Sequence, residues 1–238
     1  MLSRQIEFES LINSKEFFDY SNNVNSNQEL SLISQEIESE SETPSNSDYL
    51  VAFSSNSQKF CVGYVDIVNS TKISASLSPE KLSSYYEIFL NSMSKIIGMY
   101  GGKVIKNIGD CLLFYFPNST DSPLGGMKNC LDCGKAMLNS QSKISEEIKL
   151  KKLPALNYRV SADYGTVILM NTNTSDQIDL IGPPVNMSAK INHCAGHNQF
   201  VIGSDFRQYA QKLKEYEFHE IKSCNIGFKQ SYPVYLVK

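Results

Sequence analysis

Residues 101–116 read GGKVIKNIGDCLLFYF. Two glycines lead into an extended run, KVIKNI, then Gly109-Asp110, then CLLFYF, the most apolar strand-like run in the chain. The pattern predicts a β-hairpin with an aspartate at its tip. A glycine beside that acid lets a ligand approach the backbone and aims the carboxylate out of the sheet. Lys106 is the one charge between Lys103 and Asp110. So polar a tip on so apolar a hairpin fits either a surface turn or a site.

Working outward, the chain of 238 residues suits one large domain, or a smaller one with a tail. Hydrophobic residues make up 41% and charged residues 20%, the balance of a globular protein. Net charge is -3, and Lys and Arg form no stripe, which argues against nucleic acid as the main partner. No apolar run is long enough to span a membrane and no signal peptide opens the chain, so a cytoplasmic protein is expected. The six cysteines sit singly except Cys130 and Cys133, a pair read as helix packing rather than a zinc or redox site.

Residues 1–58 are poor in apolar periodicity and read as an N-terminal arm or linker, with short helical faces at Leu11, Ile12, Phe17 and Phe18 and again at Leu32, Ile33 and Ile37. The folded domain is expected over 59–238. It opens on KFCVGYVDIV, whose alternation puts Phe60, Val62, Tyr64 and Asp66 on one face. Ser78-Pro79-Glu80 starts an amphipathic helix that ends at Gly101-Gly102. A second helix is expected at about 125–143, then a polar run, SKISEEIKLKK, and a strand near 157–163 broken by Gly165. A short strand, QIDLIG, a helix from Pro183 to Gly196, a strand–helix pair and two closing strands follow. The core order β-α-β-β-α-β predicts an α+β, ferredoxin-like split βαβ: a palm-type antiparallel sheet with helices on one face and C-terminal additions.

The chemistry gathers at two acids. Asp66 ends the first strand, and the split βαβ topology places Asp110 beside it. Two neighbouring carboxylates repel unless a cation joins them, and oxygen ligands suit Mg²⁺ or Mn²⁺, hence a triphosphate substrate. In the helix from Pro183, Asn186 and Lys190 share a face at i and i+4. The helix start and Lys190 both favour phosphate oxygens.

Four segments in order, VDIVNST at 65–71, GGKVIKNIGD at 101–110, RVSADYG at 159–165 and DLIGPPVNMSAKI at 179–191, resemble the catalytic domain of class III nucleotidyl cyclases. The resemblance covers about 59–238. It implies a homodimer, head to tail, with active sites shared between chains. It implies that Asp66 and Asp110, helped by the Ile67 backbone carbonyl, hold two Mg²⁺ or Mn²⁺ per active site. Lys106 matches the purine-selecting position, an acid in guanylyl and a lysine in adenylyl cyclases, and Asp179 matches the second selector. The pair suits the ring-nitrogen acceptor and exocyclic amine of adenine, so the resemblance implies an adenylate cyclase, a phosphorus–oxygen lyase acting on ATP. Asn186 matches the ribose-orienting asparagine. Lys190 stands where the family has an arginine, which keeps the charge and loses the bidentate fork. Near the C-terminus Lys229 falls close to a phosphate-binding lysine, with Lys222 competing for that role.

What is then expected is attack of the ribose 3′-hydroxyl on the α-phosphorus, giving cyclic AMP and pyrophosphate. No His or Glu stands out as general base, so the metal held by Asp66 and Asp110 is expected to activate the hydroxyl, and a proton path through substrate or water is equally consistent. The alternative is a catalytically weak or silent cyclase-like module that binds nucleotide or regulates a partner. A diguanylate-cyclase or polymerase palm is disfavoured, because the tip reads IGDC rather than glycine–glycine–acid–acid–aromatic.

Overall fold

A 17-residue strand, β1 (Val51–Ile67), runs through the middle of an eight-stranded sheet. It pairs antiparallel with β3 (Cys111–Phe116) on one side and β4 (Tyr158–Thr172) on the other. β2 (Lys103–Ile108) forms the hairpin with β3 at one edge. Beyond β4 come β6 (Gln199–Gly203), which runs parallel to it, then β8 (Val234–Val237) and β7 (Phe218–Glu220). β5 (Ser175–Ile181) pairs with the far half of β4. The order β2-β3-β1-β4 is the split βαβ expected from the sequence. The computed structural model describes residues 2–18, 51–117, 123–172, 175–222, 224, 226–227 and 232–238.

The alternation along β1 divides the core as expected. Cys61, Val65 and Ile67 enter the main cluster under the large helices, while Phe60 and Val62 join Leu113, Tyr115 and Val167 on the opposite face. α3 (Pro79–Met99) buries Tyr85, Ile88, Phe89, Met93, Ile96 and Ile97 against the first of these faces, the periodic stripe of the sequence. Pro79 takes its first position, as read, but the Ser78 side chain makes no cap hydrogen bond. The helix ends when the Gly101 and Gly102 amides bond back to the carbonyls of Gly98 and Ile97, both at 2.9 Å, a Schellman closure that turns the chain into β2.

Five features differ from the sequence reading. β1 begins at Val51, upstream of Lys59, where a register shift between Phe53 and Ser57 blurs the alternation. The polar run after the second helix, α4 (Pro123–Asn139), is itself a helix, α5 (Gln141–Leu150). Only Ile144 and Ile148, one turn apart, are buried there, too thin a stripe to stand out. β4 passes Gly165 without a break, since that glycine pairs with Phe60 and the Pro184 ring packs against it. The helix from Pro183, α6 (Pro183–Asn192), stops short of Gly196, and a short helix, α2 (Ser70–Ser76), follows β1.

The N-terminal segment is docked. α1 (Leu2–Ile12) and the 3₁₀ turn Lys15–Phe18 send Phe8, Ile12 and Phe17 into the main core. Lys95 Nζ donates to the Phe17 carbonyl at 2.6 Å. Leu32, Ile33 and Ile37, the second expected helical face, lie outside the described residues. No helix among the described residues is long and apolar enough to cross a membrane.

α6 packs on the sheet face away from α3. A buried polar stitch holds it there: Asn192 Nδ2 donates to Ser161 Oγ at 3.2 Å and to the Arg159 carbonyl at 3.3 Å, and Ser161 Oγ donates to the Ser188 carbonyl at 2.7 Å. Gly182 allows the turn into α6. Its φ is 150°, and a Cβ there would lie 2.4 Å from the Thr166 carbonyl oxygen. Cys130 and Cys133 are buried in α4 as free thiols, as read. Cys194 and Cys224, which their spacing does not pair, are joined by a disulfide.

Candidate active site

The hairpin tip gathers titratable side chains from three strands and the turn. Gly109 has φ 62° and stands first of the two turn residues between Ile108 and Cys111, the II′ pattern that fits strand twist. Asp110 is the second turn residue. Asp66, near the end of β1, lies in register with Cys111 on one side and Arg159 on the other, so the three side chains stand abreast on one face. Ligand atoms of Asp66, Asp110 and Cys111 all lie within 4.8 Å of one another. Arg159 Nη2 pairs with Asp66 Oδ2 at 2.8 Å, and Cys111 Sγ donates to Asp66 Oδ1 at 3.0 Å.

These groups fit a hard divalent cation. Asp110 Oδ2 is buried without a hydrogen-bond partner, an acceptor waiting for positive charge. Burial raises the Asp110 carboxyl above the usual range, and Asp66 raises it further; a hydrogen bond from Ser70 opposes both. Cys111 stays a thiol, because burial first, then its bond to Asp66 and the nearby carboxylates, push it up. The carboxylate oxygens are therefore the hard ligands on offer. Arg159 and Cys111 were not singled out from the sequence. Their signal was positional, the residues opposite Asp66 once strand register is known.

The expected base-reading residues also meet. Lys106 on β2 and Asp179 on β5 form an ion pair, although their strands are not neighbours in the sheet. Asp179 Oδ1 also accepts the Leu180 amide at 2.8 Å, which fixes the carboxylate's orientation. A bulge between Val104 and Lys106 interrupts the regular β2–β3 register at this point. Asn186 and Lys190 lie on the exposed side of α6, opposite buried Pro184, Ser188 and Ile191. Ile67 follows Asp66 on β1 with its side chain in the core. Lys229 lies outside the described residues, while Lys222 lies exposed two residues beyond β7.

The sheet thus carries clustered acids at the hairpin tip and an ion pair that links β2 to β5. The family model for the adenylate and guanylate cyclase catalytic domain matches residues 53–238, and the chain belongs to this family, the class III nucleotidyl cyclases. A cytidylate cyclase of Staphylococcus aureus is 22% identical over 174 residues, covering 71% of this chain and 41% of that protein. The adenylyl cyclase CyaB from P. aeruginosa superposes with a TM-score of 0.70 at 22% identity, covering 77% of this chain and 95% of that one. The guanylyl cyclase Cya2 follows at 0.66 and 19% identity, covering 76% and 92%. The chain spans less than half the length of the curated relatives it matches.

Proposed function

We propose that this domain is an adenylate cyclase, converting ATP to 3′,5′-cyclic AMP and pyrophosphate in a head-to-tail homodimer. The observation that carries the reading is the Lys106–Asp179 pair. A lysine donor beside a carboxylate acceptor complements the N1 acceptor and N6 amine of adenine, whereas guanine would set a carbonyl against Asp179. The catalytic unit is taken to begin with β1 at Val51 rather than at Lys59, after an arm whose first helix packs on it, and the setting as the cytoplasm, where nucleoside triphosphates are available.

Asp66 and Asp110, with the Ile67 carbonyl, would hold two Mg²⁺ or Mn²⁺, which supply charge neutralisation at the phosphates and lower the pKa of the attacking hydroxyl. The 3′-oxygen forms its bond to the α-phosphorus as the bond to the bridging oxygen of pyrophosphate breaks in line. The hydroxyl proton leaves through substrate or water. Asn186 orients the ribose, and Lys190, Arg159 and Lys229 carry positive charge toward phosphate oxygens. Because a lysine replaces the forked guanidinium, Lys190→Arg should raise kcat about tenfold, roughly 1.4 kcal/mol of barrier. Steady-state rates at saturating ATP check this, and an unchanged or lower kcat would count against contact between Lys190 and the transferring phosphate.

A second reading has a specific basis. Cytosine presents the same edge as adenine, a ring-nitrogen acceptor beside an exocyclic amine, and the first relative named above is a cytidylate cyclase. The Lys106–Asp179 pair therefore rejects GTP by hydrogen bonding but leaves CTP to be rejected by pocket size alone. Purified protein incubated with Mn²⁺ and each triphosphate, with products separated by chromatography, tests the assignment. Cyclic AMP as the dominant product supports it, dominant cyclic CMP moves it to the second reading, and bound nucleotide with no product leaves a silent module. In the same assay Lys106→Glu should lower the ATP-to-GTP ratio of kcat/KM by about a hundredfold. An unchanged ratio would mean that Lys106 does not meet the base.

A further inference from the structure

Cys194 lies two residues beyond α6, where its amide bonds to the Ile191 carbonyl at 2.9 Å and closes the helix. Cys224 lies in the connection between β7 and β8. The disulfide between them spans a Cα–Cα distance of 5.4 Å and a sequence separation of 30. It borders a small cluster formed by Ile191, Ala195, Val201 and Val234, with Met187 and Ile226 packed against it. Both cysteines are only half-buried, whereas Cys61, Cys130 and Cys133 are sealed in the core and Cys111 is bonded to Asp66. A bridge at the surface is open to exchange with small thiols, unlike one deep in a core.

We infer that Cys194 and Cys224 form a reversible thiol–disulfide site whose oxidised state fastens the C-terminal end of α6 to the β7–β8 connection. The oxidant class is a small disulfide such as oxidised glutathione. One protein thiolate attacks it and releases one small thiol. The second protein thiolate then displaces the other from the mixed disulfide. One S–S bond breaks in the oxidant and one forms in the protein, and the two protein thiol protons end on the two released thiols. The inference about α6 rests on the reading that this helix carries Asn186 and Lys190 toward substrate. The cross-link itself does not.

The test equilibrates the full chain in glutathione buffers of graded ratio, with peptide mapping by mass spectrometry, thermal unfolding and hydrogen exchange on the same samples. The expected result is a Cys194–Cys224 peptide in oxidising buffer, a Tm higher than in the reduced form by roughly 5–10 °C, and α6 amide exchange slowed at least about threefold. Cys194→Ser and Cys224→Ser should each stay at the reduced values in every buffer. Free thiols at both positions under oxidising conditions would overturn the site. A cross-link that forms without changing α6 exchange would overturn the fastening. Turnover is expected to be at least about threefold higher in the oxidised form. A protein that cross-links and slows α6 exchange yet makes no cyclic nucleotide would overturn the cyclase reading and uphold the site.

Discussion

Asp110→Asn abolishes cyclic-nucleotide formation and leaves the protein folded. The expected loss is about a thousandfold or more, ~4 kcal/mol of barrier, because one of the two carboxylates proposed to hold cations against the phosphates is gone. The fold should not suffer, for a reason visible in the resting site. Asp110 Oδ2 is buried without a partner, and burial together with Asp66 raises its carboxyl, so without a cation the charge costs stability. An uncharged amide of the same shape removes that cost, and the Tm in the absence of metal should be equal or higher. Circular dichroism melts beside Mn²⁺-dependent turnover check both halves. Activity that survives with its Mn²⁺ dependence intact would refute the assignment of Asp110 as a ligand.

Mixing two variants, each impaired with ATP, is expected to restore activity if the active sites are shared between chains. Lys106 and Asp110 are four residues apart on one hairpin, yet in a head-to-tail pair the lysine reads the base in one site while the aspartate serves the other. A Lys106→Ala chain and an Asp110→Asn chain then form a heterodimer in which one site has lost both groups and the other has kept both. Random pairing makes half of the dimers mixed, and each mixed dimer has one intact site of two, so about a quarter of wild-type activity returns. Activity titrated against mixing ratio should peak near equal amounts. No recovery in mixtures shown by mass spectrometry to contain heterodimers would rule out sites shared in this way.

The hairpin and the long amphipathic helix were legible because their signals are local. A glycine pair, a two-residue turn and a stripe at three-and-four spacing each need only neighbouring residues to be read. Asp66, Asp110, Lys106 and Asp179 were reached by adding topology and the family's four segments, and the structure joins them into two clusters. What escaped notice depends on register. Arg159 and Cys111 become part of the metal-side cluster only because each lies opposite Asp66, which strand patterning alone does not specify. α5 was missed because its two buried isoleucines are outnumbered by charges. The Cys194–Cys224 pairing was hidden for the same reason as the register: α6 and the β7–β8 connection meet only in three dimensions.

The polar stitch under α6 has a bearing on how two such sites would behave together. Asn192 ties the helix carrying Asn186 and Lys190 to the backbone of Arg159 on β4, whose side chain holds Asp66. In a head-to-tail dimer the helix would belong to one catalytic centre and Asp66 to the other. A buried amide linking them would couple the two centres through one protomer. Filling one centre would then change the affinity of its twin, and nucleotide binding curves are expected to depart from a simple hyperbola.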